Sequence, residues 1–405
     1  MVLGENTLKA IREDMERLRL PTWVTPPPKR PGESKGGHFK ADEWKVFCTV
    51  NLPITLTRLW GSKLETNRYN RMLKNYMDLV SAVNIATKRS ITSLDIVLYD
   101  GYIKLYLEGL LELYPQTNLT PYHHLSLHFS THLQRFGPTH AWRCYAFERY
   151  NGQLQNLPDN HKFGKSISQP HLYSDQFMLS STGQLETTKL LKFCRFQNLR
   201  ILFSEVRLPP EIHSIVTTMK TRFKVDIPEA IFPRRSPEGF GIASRDLLMN
   251  SKDYQLLLEC LKTSEPDSSV PRKMMPLKTV NLLGRRFEAS PSKNSCVMVR
   301  LSDVGPFTAV TIQSIFSHTR QTITGSPVTQ KFVKIQPFEP LSPSHSLLDL
   351  YRRFPFSGGR LYYNRLIPET KVVPFESIVV HFGQTPMLIN GITEECLHTL
   401  PLPCT

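Results

Sequence analysis

The chain has 405 residues, with 50 Lys and Arg against 35 Asp and Glu, a net charge of +15. That surplus points to a polyanionic partner, because each neutralised phosphate releases condensed counterions. A membrane partner is disfavoured, since no run of about 18 apolar residues and no strongly basic amphipathic helix occurs. The 7 Cys are odd in number, widely spaced and without a CxxC, which argues against a disulfide framework and fits a reducing compartment. The first residues, Met1-Val-Leu-Gly-Glu-Asn, carry no charged region followed by an apolar core, so no secretory signal is expected there.

In chain order, residues 6–19 are expected to be helical, with Leu8, Ile11, Met15 and Leu18 on one face and Pro21 as a stop. Residues 21–37 are rich in Pro, Gly, Lys and Ser and read as a linker. A second helix is expected from Asp42 to Gly61, kinked by Pro53. The third has the clearest period, with Tyr69, Met72, Leu73, Tyr76, Leu79, Val80 and Val83 in one stripe. Residues 93–113 continue the pattern behind Thr92 and Asp95, which have capping-box spacing. A helix should open at Thr120-Pro121 and close at Gly137-Pro138. Another should span 141–156, and further helices 185–203 and 210–223. Residues 226–275 are Pro-rich and polar, with one helix near 251–262. Beyond residue 276, short β-rich runs take over at 297–299, 310–312, 332–335, 361–363 and 378–380. They suggest a small barrel or sandwich.

The stretch 121–150 bears the chemistry. His124, His128 and His132 are spaced four apart and would share one helical face. Two His at that spacing can bind one Zn²⁺, because both imidazoles reach the same point. The row lies beside an expected apolar stripe of Leu125, Phe129, Leu133 and Phe136, and such a row is more often a hydrogen-bonded, half-buried face than a metal site. Glu148 follows within Ala146-Phe147-Glu148-Arg149-Tyr150, where it could be a structural ion pair or a functional carboxylate. Arg222, Lys224, Arg234 and Arg235, with Lys273, Arg285 and Arg286, could line a phosphate track, or could be a solvated scatter of charge. The aromatics Phe354, Phe356, Tyr362 and Tyr363 around Gly358-Gly359 could grip a partner peptide, or could be core.

The order His124-Leu125-x-x-His128, Gly137-Pro138, Arg143-x-Tyr145-x-Phe147-Glu148-Arg149-Tyr150 resembles a stretch found after the catalytic domain of CACTA (En/Spm)-type transposases of plants and fungi. Ala146 departs from the family, which often has Pro there. The segment Ala41-Asp42-Glu43-Trp44 through Leu52-Pro53-Ile54 and Leu59-Trp60 looks like the family's helical segment ahead of the His pair. The resemblance is specific over 38–165 and one of order and texture elsewhere, with fungal members the nearest.

The resemblance implies an RNase H-like core in which three acids hold two divalent metals, Mg²⁺ or Mn²⁺, for DNA strand cleavage and transfer. By that resemblance Glu148 corresponds to the third acid. His124 and His128 correspond to the His half of a zinc site, with His132 as an alternative to His124. The other half, a CxxC, would have to come from elsewhere.

The resulting expectation is an α+β protein: a mostly α-helical N-terminal region, holding the last helix of an RNase H-like core plus inserted helices, then a small β domain. The expected divisions are 1–37 (helix and linker), 38–225 (helical transposase-like domain), 226–275 (hinge) and 276–405 (β-rich domain). The expected function is that of a truncated or degenerate transposase fragment, inactive alone and nuclear. Its partners would be DNA at transposon ends, a second copy of itself or a complete transposase. A non-catalytic nuclear DNA-binding or chromatin-associated module and a protein-interaction scaffold are the alternatives.

Overall fold

The computed structural model describes residues 4–31, 39–142, 247–262, 269–282, 284–302, 305–321 and 326–402. All of them belong to one compact unit, which unites the chain on either side of residues 143–241. The protein is α+β, and its described helices and strands share one body.

Helix α1 spans Glu5–Arg17, with Glu5 in its first turn and Arg17 in its last, both favourable to the helix dipole. The second expected helix runs unbroken over residues 41–60 but changes pitch. It comprises α2 (Ala41–Val46), a π turn (Phe47–Asn51) and α3 (Leu52–Trp60). The π turn stands where a kink at Pro53 is expected. Pro53 has no N–H to donate, and the wider turn lets the Leu52 N–H bond the Phe47 carbonyl instead. Helices α4 (Arg68–Ala86) and α5 (Ser93–Leu113) pair as a hairpin. The Thr92–Asp95 capping box is present in both directions.

Helix α9 (Ser251–Lys262) and eleven strands follow among the described residues. The expected runs are all strands: β5 (Cys296–Val299), β6 (Thr308–Gln321), β7 (Pro327–Pro340), β8 (Arg360–Leu366) and β10 (Ile378–Met387). Six more are present: β1 (Leu247–Leu248), β2 (Lys273–Leu277), β3 (Thr279–Leu282), β4 (Arg285–Glu288), β9 (Lys371–Pro374) and β11 (Cys396–Pro401). The antiparallel pairings β5–β6, β6–β7, β7–β8, β8–β11, β11–β10 and β10–β5 return to their starting strand. Hairpin β6–β7 projects beyond this ring. Its outer half carries β2 on one edge and β9 on the other. Helix α9 packs there through Leu257 and Leu261 on Phe316 and Phe332.

Residues 350–358 wedge the ring against the helices. Tyr351 reaches between the layers, and its hydroxyl donates to the Ile54 carbonyl at 3.0 Å. The Arg353 guanidinium donates to the Gly61 carbonyl at 3.1 Å, and the Asn84 amide donates to the Phe356 carbonyl at 2.9 Å. Phe354 and Phe356 pack into two separate helical clusters. The wedge ends on Gly359, whose φ of +78° suits glycine, and where a Cβ would stand 2.3 Å from the Thr399 carbonyl oxygen. Gly359→Ala is therefore expected to cost well over about 1 kcal/mol, seen as a lower urea midpoint with an unchanged slope.

Candidate metal and nucleic-acid site

The helix expected between Thr120 and Gly137 is two helices, α6 (Pro121–Leu127) and α7 (Phe129–Phe136), broken at His128. His128 has φ −86° and ψ −7°, so the chain makes a tight turn and the helical phase slips. The expected apolar stripe is corrected by that slip. Leu133 is buried and Phe129 packs inward, but Leu125 and Phe136 are exposed, and Leu127 packs inward instead. The break itself is anchored to α5, because the Tyr99 hydroxyl donates to the Ser126 carbonyl at 2.9 Å.

His124 and His128 nevertheless meet. Their Nε2 atoms lie 3.1 Å apart on the exposed surface, with ring planes at 75°. Without a metal, one Nε2 must donate and the other accept. Two nitrogens on one tetrahedral zinc, at the usual bond length, would be about 3.3 Å apart. The pair therefore has the spacing of half a zinc site. His132 is not part of it: its ring stacks on Phe136 at 5.9 Å and sits 6.1 Å from Trp142. His123 is engaged as a cap, its Nδ1 accepting from the Thr120 N–H at 3.0 Å. Among the described residues no three His, Cys, Asp or Glu side chains gather where they could hold one metal ion. The residues present thus fit two of the ligands of a zinc site.

Two acids of α5 are otherwise committed. Asp95 bonds Lys88 at 2.5 Å and caps α5. Burial raises its pKa, but Lys88 and Thr92 outweigh that and hold it below the ordinary carboxylate value. Asp100 pairs with Lys104 at 2.5 Å.

The other candidates divide. Glu148, Arg222, Lys224, Arg234 and Arg235 lie outside the described residues. Lys273 is exposed at the start of β2. Arg286 is exposed and pairs with Glu288 at 2.7 Å. Arg285 is buried, its guanidinium 3.9 Å from the Trp23 ring, so it cannot belong to an exposed phosphate track. The aromatics around Gly358-Gly359 prove internal: Tyr362 and Tyr363 are buried, and Phe354 and Phe356 serve the wedge.

Sequence reasoning missed three buried histidines, His318, His381 and His398. The His398 ring lies 4.1 Å from that of Tyr351, tilted by 40°, and bonds the Gly358 carbonyl through Nε2 at 2.6 Å. His381 accepts from the Trp23 indole N–H at 3.4 Å and bonds the Asn294 carbonyl at 3.2 Å. Burial pushes His381 and His398 down to about 4. The visible signal was the apolar run around each: His381 lies between Val380 and Phe382, and His398 follows Leu397 two residues before Leu400.

In comparison with known proteins, no family model, no curated protein and no solved structure matches the chain.

Proposed function

We propose that the chain is a DNA-binding piece of a CACTA-type transposase, with His124 and His128 as the His half of a zinc site. The observation that carries this reading is the approach of His124 and His128, 3.1 Å between Nε2 atoms, inside the stretch that bears the family resemblance. The charge of +15 agrees with a phosphate-rich partner. In this reading Glu148 corresponds to the third catalytic acid of an RNase H-like core. The complete parent would use Mg²⁺ or Mn²⁺, which supplies metal-assisted phosphodiester cleavage. One acid cannot hold two metals, so strand transfer would need the other acids and a CxxC from elsewhere. We read the closed ring of strands as a small barrel, and the location as nuclear.

The metal half is testable directly. Zinc titration of the whole chain at neutral pH should show an affinity that falls at least tenfold, about 1.4 kcal/mol, in His124→Ala/His128→Ala. His132→Ala should leave it unchanged. Equal affinity in wild type and the double variant would remove the pair from consideration.

A non-catalytic nuclear DNA-binding module is the second reading. It is favoured by the arrangement of the described residues, in which helices and ring are fixed together by the 350–358 wedge. It needs the basic surface and not the metal, so the zinc experiment separates the two.

A further inference from the structure

Residues 4–31 form an arm whose contacts are made with distant parts of the chain. On α1, Ile11 is fully buried in the cluster built around Phe47, Leu52 and Met77. Asp14 bonds Arg58 at 2.8 Å. The arm then becomes extended. Arg19 and Gln384 exchange both backbone bonds, at 2.9 and 3.1 Å. Asn294 Oδ1 accepts from the N–H and the hydroxyl of Thr22, each at 3.0 Å.

The acceptor for this strand is a gap in the ring. On one side β10 pairs with β11 over 382–387, but on the other β5 covers only 378–381. The remaining edge of β10 is filled by the arm at Gln384. Gly383 leaves room for it, since a Cβ there would meet Leu20 at 3.1 Å and Leu18 at 3.5 Å. An edge of this kind is a ready template for another strand, and among the described residues the arm is what pairs with it at Gln384. An isolated helix as short as α1 is marginal in water, so the arm depends on a body to dock on. Only the chain between Pro31 and Phe39 joins it to its own body.

We infer that the arm is exchangeable, and that two copies of this chain can associate by docking residues 4–24 on each other's β10 edge and α3–α4 groove. The contacts would be those of the single chain, made in trans, which is the low-cost route to a dimer. This inference does not depend on the transposase reading.

Cross-linking tests it. Arg19 and Gln384 form a hydrogen-bonded antiparallel pair, a geometry with Cα atoms about 5.5 Å apart that a disulfide can bridge. The background is Cys296→Ala, because the Cys296 thiol touches the Gln384 side chain. Full chains carrying Arg19→Cys alone and Gln384→Cys alone are mixed, refolded together and oxidised. A covalent heterodimer joined between positions 19 and 384 is expected, identified by the mass of the joined peptides, with a yield that rises with chain concentration. The doubly substituted chain is the control and should close its bond within one molecule. If that control closes but the mixture gives no heterodimer, or dimers joined only through other cysteines, the inference is overturned.

Discussion

Tyr351→Ala is expected to destabilise the chain by about 3–5 kcal/mol, the range for removing a large buried aromatic side chain. Tyr351 is 2% exposed and sits in the cluster shared by Val50 and Ile54 of the helical layer and Leu361, Met387 and Leu400 of the strands. Its ring supports His398 and its hydroxyl bonds the Ile54 carbonyl. The cavity left behind would open both layers at once. Fluorescence of the helical Trp60 and circular dichroism of the strands should therefore lose their structure in one shifted transition. Two separated transitions would show that helices and ring fold independently. Tyr351→Phe keeps the packing and removes only the hydrogen bond, so a smaller loss of about 1 kcal/mol is expected.

Acidification should weaken the fold between about pH 6.5 and 4. His381 and His398 are fully buried, and burial, the largest cause, pushes each down to about 4. Hydrogen bonds to carbonyls resist that shift without cancelling it. Below the ordinary His value of about 6.5, the unfolded chain binds protons that the folded chain does not. The stabilisation from each neutral His is present above that value and is lost as pH falls toward the folded pKa. At pH 5 the loss is about 2 kcal/mol for each group. Asp78 opposes it: burial raises its carboxyl to about 6 against the pull of Lys74, so its proton stabilises the folded form in the same window. Asp78 is only half-buried, and solvent reduces its weight against two fully buried groups. Urea midpoints at pH 7 and pH 5 should differ accordingly, and His381→Gln, which keeps an acceptor for Trp23, should make the difference smaller. A midpoint unchanged between pH 7 and 5 would contradict the burial of these side chains.

Much of the architecture could be read from local pattern. The α4 stripe, the Thr92–Asp95 box and the 251–262 helix are each fixed by period or capping within one turn of chain. The five expected strands were β-branched or aromatic runs with buried partners on both sides, such as Cys296–Val299. The strands that escaped notice have weaker local signals: β2 contains Pro276, and β3–β4 is a separate hairpin. The π turn and the break at His128 depend on what packs outside the helix, which no periodicity reports. The arm at Gln384 and the wedge at Tyr351 join residues hundreds of positions apart, so nothing local announces them. For the site, spacing alone brought His124 and His128 to one face. The break in the helix decided which third His would stay away.

The measurement that tests the functional account most directly is a DNA-binding titration of the whole chain across a series of salt concentrations, with a variant lacking Arg222, Lys224, Arg234 and Arg235. The account predicts binding whose logarithm falls linearly with the logarithm of salt, with a slope of about 0.9 for each phosphate contacted. In the Arg222→Ala/Lys224→Ala/Arg234→Ala/Arg235→Ala chain, binding should be weaker and the slope shallower by up to about three to four. Binding that ignores salt, or a slope that survives all four substitutions, would contradict it.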